Sequence, residues 1–156
     1  MNKLETLSDK ENERRVAQRL FEFNRNITWA EAPEFSAVDL IGFSDGKVVN
    51  LVEIKTRMLS REETQGYYPA GLILKRRKLD ELIQLGDLLN VPALVLFAFD
   101  HGRGEIMSCV PSTIGEKEDT DVGRRDRNLK TDLEPVILLD WLMDLNSFLP
   151  KQLVAS

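Results

Sequence analysis

Residues 37–55 read AVDLIGFSDGKVVNLVEIK, and the fold turns on them. Ala37 to Phe43 is a β run, Ser44-Asp45-Gly46-Lys47 is a hairpin signal with Asp-Gly between two apolar runs, and Val48 to Lys55 is the return strand. Side chains alternate across a strand, so Glu53 and Lys55 share a face with Val49 and Leu51, and Asp39 shares one with Ala37, Ile41 and Phe43. Both acids therefore stand on faces that otherwise read as core. A buried carboxylate needs a counter-charge, a set of hydrogen bonds or a metal. Asp39 lies six positions before Asp45 and Glu53 seven after Gly46. A two-residue turn sets them roughly opposite each other on the ladder, to within a residue of register.

Two carboxylates that close repel, and a divalent cation removes the repulsion. All-oxygen ligation suits Mg²⁺ or Mn²⁺. Such an ion polarises a phosphoryl oxygen and acidifies water, and Lys55 beside it is placed to orient that water or to stabilise the charge built up during attack. Glu53-Ile54-Lys55 alone is a common surface ion pair. Asp39 at matching depth, with apolar flanks on both strands, favours a site. A phosphate-loop reading of Gly42 and Gly46-Lys47 fails, because the spacing is one residue short and Val48 stands where Ser or Thr is required.

Upstream, Ser8-Asp9-Lys10-Glu11 reads as a capping box, and Val16, Ala17, Leu20 and Phe21 recur at helical spacing, which predicts a helix at about 9–24. A short extended stretch, Ile27 to Ala32, stops at Pro33. Downstream, Met58 to Gly71 is polar and carries Gly66, Pro69 and Gly71, the pattern of a loop. A helix then runs to about Asn90, with Leu79, Leu82, Ile83, Gly86 and Leu89 on one face. Ala93 to Phe99 is a wholly apolar strand of the kind buried on both sides, so strand, helix and strand imply a parallel crossover. Glu105 to Val110 returns as a hairpin partner. Gly115 to Glu134 is charge-dense and reads as a long loop, and Val136 to Leu149 as a strand and a helix packed on the core.

With 156 residues, the chain is expected to form one domain spanning 1–156, with the charged loop at about 115–134. No apolar run reaches the roughly 18–20 residues of a membrane helix, and Met1 to Asn12 lacks the apolar stretch of a signal peptide, so a cytoplasmic protein is expected. The single cysteine, Cys109, excludes an intramolecular disulfide and multi-cysteine zinc sites, and the single histidine, His101, excludes His-rich metal centres. The net charge of −5 argues against nonspecific coating of nucleic acid but leaves room for a local basic patch.

Asp39, followed after a hairpin by Glu53-Ile54-Lys55, resembles the PD-(D/E)XK nuclease superfamily, and the element order resembles its α/β, restriction-endonuclease-like αβββαβ core, a central mixed sheet flanked by helices. The likeness covers roughly Ser8 to Val110 and is greatest to the Holliday-junction-resolvase-like branch, which includes small phage and archaeal enzymes. That branch carries a glutamate on the first helix, a short loop after the E-x-K strand, a Lys-bearing helix and an apolar strand; Glu13, Tyr67-Tyr68, Lys78 and Ala93 to Phe99 stand in similar places. Val38 occupies the position where the superfamily's name has proline. The resemblance implies that Asp39 and Glu53 bind the metal, that the Ile54 carbonyl adds a ligand, and that Lys55 serves the attacking water. It further implies a magnesium- or manganese-dependent nuclease that hydrolyses DNA phosphodiester bonds, with branched or junction DNA as first substrate. A resolvase that cuts two strands would work as a symmetric homodimer.

Glu13, three before Val16 and seven before Leu20, falls on the buried side of its helix, where it is either a third acid of the metal site or a first-turn acid favoured by the helix dipole. Lys75-Arg76-Arg77-Lys78 places four cations at a helix start, against the macrodipole, an arrangement suited to a phosphate; Lys75, Arg76 and Lys78 are the DNA-backbone candidates. Arg124 and Arg125 form a second candidate patch, diluted by Asp119, Asp121 and Asp126. Tyr67 and Tyr68 are expected to pack on the domain, Trp29, Trp141 and the phenylalanines to lie in the core, His101 to be solvated, and Cys109 to be an inert buried thiol. The rival readings are a nuclease-fold subunit that binds without cutting, and a nuclease that needs an accessory protein partner for its grip on DNA.

Overall fold

The computed structural model describes residues 7–33, 36–120 and 134–147. Helix α1 (Leu7–Phe23) leads into strands β1 (Thr28–Glu31), β2 (Leu40–Ser44) and β3 (Lys47–Thr56). Helix α2 (Arg61–Tyr67), strand β4 (Leu72–Lys75) and helix α3 (Arg76–Leu89) follow. Strands β5 (Ala93–Ala98) and β6 (Ile106–Cys109), the short helix α4 (Pro111–Ile114), and strands β7 (Val136–Leu139) and β8 (Asn146–Ser147) complete the order. The main sheet runs β1-β2-β3-β5-β6-β8, and β4 pairs with β7 in a separate two-stranded sheet. Only the β3–β5 junction is parallel; its neighbours are antiparallel. The expected mixed sheet flanked by helices is the architecture found.

The Asp45-Gly46 turn forms because both residues reach positive φ, 53° and 76°, the backbone a tight hairpin turn requires. β5 is buried at every position, as its unbroken apolar run implies, and it divides two apolar layers. Ala93, Val95 and Phe97 face α3 through Leu79 and Leu82. Leu94, Leu96 and Ala98 face α1 through Val16 and Leu20. The sheet is therefore covered on both sides, and a polar side chain on β3 must enter one layer or the other.

Four expectations are corrected. The 58–71 segment is not all loop: Ser60 accepts from the Glu63 N–H and Glu63 reaches back to the Ser60 N–H, a capping box that nucleates α2. The segment after Gly71 begins as strand β4. Gly71 has φ +138°, and a Cβ there would lie 2.0 Å from the Leu139 carbonyl oxygen, so the missing side chain is what lets β4 close against β7. The α1 helix already includes Leu7, which sets Ser8 inside it and not at its cap. After β7 the chain makes a turn stapled by Asp140, whose carboxylate accepts from the Leu142 and Met143 N–H groups; the expected helix does not form there among the described residues. Among those residues no helix is long and apolar enough to cross a membrane.

Candidate active site

The register of the β2–β3 hairpin decides where the two acids meet. Ser44 pairs with Lys47 and Phe43 with Val48, but Gly42 pairs with Asn50 and Leu40 with Val52. Val49 is an extra residue, a β-bulge. The slip reverses the face of every residue beyond it: Val49 packs in the α1 layer and Leu51 in the α3 layer, against the expectation that they point the same way. Its functional effect is direct. Without the bulge Asp39 would stand opposite Val52 and Glu53 would turn to the α1 layer; with it, the register that pairs Leu40 with Val52 carries Asp39 to Glu53, and the two carboxyls meet on the α3 side, where Lys78 lies. Asp39 holds this place by donating its N–H to the Val52 carbonyl at 2.8 Å and accepting at its own carbonyl from Ala32 at 2.9 Å.

Glu53 is 5% exposed and lies level with Val95 of β5. Asp39 Oδ2 accepts from the Ile54 N–H at 2.7 Å, which clamps this carboxylate over the β3 backbone. Two ammonium groups approach Glu53: Lys55 Nζ at 3.4 Å and Lys78 Nζ, from the first turn of α3, at 3.8 Å. Burial, with Asp39 beside it, pushes the Glu53 carboxyl up to about 7, despite the two lysines. Burial also raises Asp39 above its ordinary value, against the pull of the Ile54 N–H, the Glu53 hydrogen bond and the same lysines. Burial thus favours the neutral form of Glu53, whose hydrogen bond to Asp39 supports the ionised form of Asp39. This is a set of hard oxygen donors that desolvation has left short of positive charge, which is what a divalent cation supplies.

Glu13 is half-buried on α1, whose buried residues Val16 and Leu20 pack in the layer opposite Glu53. Among the described residues no three acidic, His or Cys side chains gather into a metal-binding group, so the structure unites Asp39 with Glu53 but does not bring Glu13 to them. The basic run divides by role. Lys78 reaches Glu53. Arg76 turns away: its guanidinium bonds Asp119 at 2.9 Å and the carbonyls of Gly115 and Lys117, so it fastens the 115–119 segment. The N–H that opens α3 donates to the Pro135 carbonyl, and Lys75 pairs with Glu134 at 3.5 Å. Arg124 and Arg125 lie outside the described residues. A cleft of about 350 Å³ lies elsewhere, lined by Arg14, Phe21, Trp29 and Glu31 among others, and contains none of the site residues.

Sequence reasoning passed over Arg57. Its signal was present, since position 57, one residue past the end of β3, continues the alternation of 53 and 55. The Arg57 guanidinium lies over the Phe97 ring at 5.5 Å. Tyr67 and Tyr68 are 73% and 60% exposed, not packed on the domain as expected. Phe23 is exposed too, whereas Phe97, Phe99 and Trp141 are core as expected. His101 is half-buried in a 3₁₀ turn. Cys109 is buried, with its thiol pushed up to about 12 by desolvation, an inert group as expected.

The crystal structure of the Holliday junction resolvase Hjc from the archaeon Archaeoglobus fulgidus superimposes with a TM-score of 0.51 over 83% of each chain at 12% sequence identity, a likeness of fold. No curated protein sequence matches significantly. A family model described as "Phage putative PDDEXK endonuclease" matches residues 1–147; the chain belongs to that family.

Proposed function

We propose that this member of the phage PDDEXK endonuclease family is a cytoplasmic, divalent-metal-dependent deoxyribonuclease that hydrolyses phosphodiester bonds, with branched or four-way DNA as its preferred substrate. The observation that carries the reading is the bulge-dependent meeting of Asp39 and Glu53 in a buried site that two lysines enter. A structural module has no use for two carboxyls whose ionisation is opposed by burial. The site fits Mg²⁺ or Mn²⁺: Asp39 and Glu53 would hold the ion, with the Ile54 carbonyl as the further protein oxygen and water completing the shell. Glu13 is left out of this set because the structure does not bring it to the pair.

When bound, the cation polarises the phosphoryl group and lowers the pKa of water. The chain's own residues do the rest. The Ile54 N–H fixes the Asp39 carboxylate so that it need not reorganise during attack. Lys55, at the half-open side of Glu53, orients the attacking water and stabilises the charge that develops on the phosphate. Lys78 supports the ionised form of Glu53 and so keeps it available as a ligand. A symmetric homodimer is the assembly proposed for cutting two strands.

The test is a cleavage panel of single-stranded, duplex, flap and four-way DNA in Mn²⁺. Wild type should cut, chelator should stop it, and added Mg²⁺ or Mn²⁺ should restore it. Asp39→Asn and Lys55→Ala should fold normally and lose cleavage by at least roughly a hundredfold. Cleavage by Asp39→Asn at the wild-type rate would overturn the assignment. Retained DNA binding with no cleavage under any metal would favour the non-cutting subunit, and feeble cleavage rescued by a second protein would favour an accessory partner.

A further inference from the structure

We infer that Arg57, together with the exposed Tyr68 at the end of α2, is a docking site for a phosphodiester of the bound nucleic-acid strand, next along the chain from the metal pair and not part of it. The inference rests on the nuclease reading and extends it to how the strand is held. Arg57 continues the Glu53, Lys55 alternation at the end of β3, and its N–H donates to the Ala98 carbonyl at 2.9 Å, extending the parallel β3–β5 ladder. Its guanidinium lies over the Phe97 ring, 5.5 Å from the centroid, and the residue is half-buried. Among the described residues the one hydrogen bond it donates goes to the neighbouring Thr56 carbonyl. Among the described residues no carboxylate pairs with it, although this chain has more acids than bases. Burial lowers its pKa, and the titratable group acting on it is the Tyr68 phenol. A half-buried guanidinium held over an aromatic ring, with open donors and no acid paired to it among the described residues, is fit for an external oxyanion, and its planar fork matches phosphate.

The surroundings hold this group in place. The Arg57 carbonyl accepts from the His101 N–H, and the Leu59 carbonyl from the Asp100 N–H, both at 2.9 Å. Asp100, His101 and Gly102 all have positive φ, a costly run of backbone, and α1 secures the turn: Arg15 donates to the His101 carbonyl and Arg19 to those of Gly102 and Gly104. On the other side, the Tyr68 carbonyl accepts from Trp141 Nε1 at 2.7 Å. The backbone of Tyr68 is thereby fixed while its ring stays in solvent, an arrangement suited to stacking on a base next to the held phosphate.

Two measurements test this, both in chelator so that nothing is cut. In the first, fluorescein-labelled duplex and four-way DNA are titrated with wild type, Arg57→Gln and Arg57→Lys across a salt series. Arg57→Gln should bind roughly tenfold more weakly and flatten the salt slope by about one counterion; Arg57→Lys should keep the slope while losing part of the affinity. Tyr68→Ala should weaken binding with the slope unchanged. In the second, which needs no variant, the Arg57 Nε–Hε resonance of the wild-type chain is followed as DNA is added; it should shift with DNA and respond only weakly to inorganic phosphate. A folded Arg57→Gln with wild-type affinity and slope, or an unmoved resonance in a chain that binds DNA, overturns the inference and leaves the nuclease reading standing. Wild type that neither binds nor cleaves DNA overturns both.

Discussion

Replacing Glu53 with glutamine should stabilise the metal-free protein, by an amount that grows with pH. Glu53 is buried and its carboxyl is held at about 7, against an ordinary 4.5. A group whose folded pKa is raised stabilises the fold below its unfolded value, and that contribution is lost as pH climbs through the folded value. The window is therefore pH 4.5 to about 7. At about 1.4 kcal/mol per tenfold change in proton affinity, ionised Glu53 costs the folded chain on the order of 3 kcal/mol above that window. Glutamine keeps the shape and never ionises. In chelator, wild type and Glu53→Gln should have similar stability at pH 4.5 and diverge until, above pH 8, the variant melts roughly 6–12 °C higher, at ~2–4 °C per kcal/mol for a domain of this size. Mn²⁺ should raise the melting temperature of wild type and not of the variant. The assay is thermal unfolding followed by circular dichroism across the pH series. A variant that melts at or below wild type at pH 8, or a difference that does not change with pH, would refute the reasoning.

Lys78→Ala removes one of the two charges that pull the Glu53 carboxyl down, so it should ionise at higher pH; Mn²⁺ affinity measured by calorimetry should then need a more alkaline buffer to reach its plateau. Arg76→Ala should cost about 1–3 kcal/mol in urea unfolding, because the carbonyls of Gly115 and Lys117 lose their charged donor, while the salt slope of DNA binding stays as in wild type. Gly71→Ala should destabilise by more than about 2 kcal/mol, since its Cβ would meet the Leu139 carbonyl at 2.0 Å; hydrogen exchange should show the loss concentrated in the β4–β7 pair.

Legibility in the sequence followed the range of the physical signal. Asp45-Gly46, the apolar run of β5 and the 3.6-residue period of α1 and α3 are local patterns, and each produced the element it implied. The Asp39–Glu53 meeting was visible to within one residue of register, and that residue carries the geometry: the bulge at Val49 depends on how β2 lies against β1 and β3. Gly42 is part of that packing, for a Cβ there would meet the Trp29 ring at 2.9 Å. β4 was illegible for a related reason. Among the described residues its only partner is β7, about sixty residues away, and four residues before a strong helix carry little period of their own. The Ser60–Glu63 capping box was written in the sequence and was outweighed by the turn-forming residues around it. The basic run at 75–78 looked like one patch, yet pairing across space sent Arg76 to the 115–119 segment and Lys78 to Glu53; no one-dimensional charge pattern holds that difference.

The central claim is that Asp39 and Glu53 together hold the catalytic cation, and an anomalous difference map from crystals of the whole chain soaked in Mn²⁺ tests it most directly. The account predicts a peak touching one carboxylate oxygen from each of the two residues, with Lys55 close by, and no such peak in Asp39→Asn crystals. An ordered manganese bound elsewhere, with neither carboxylate touching it, would contradict it.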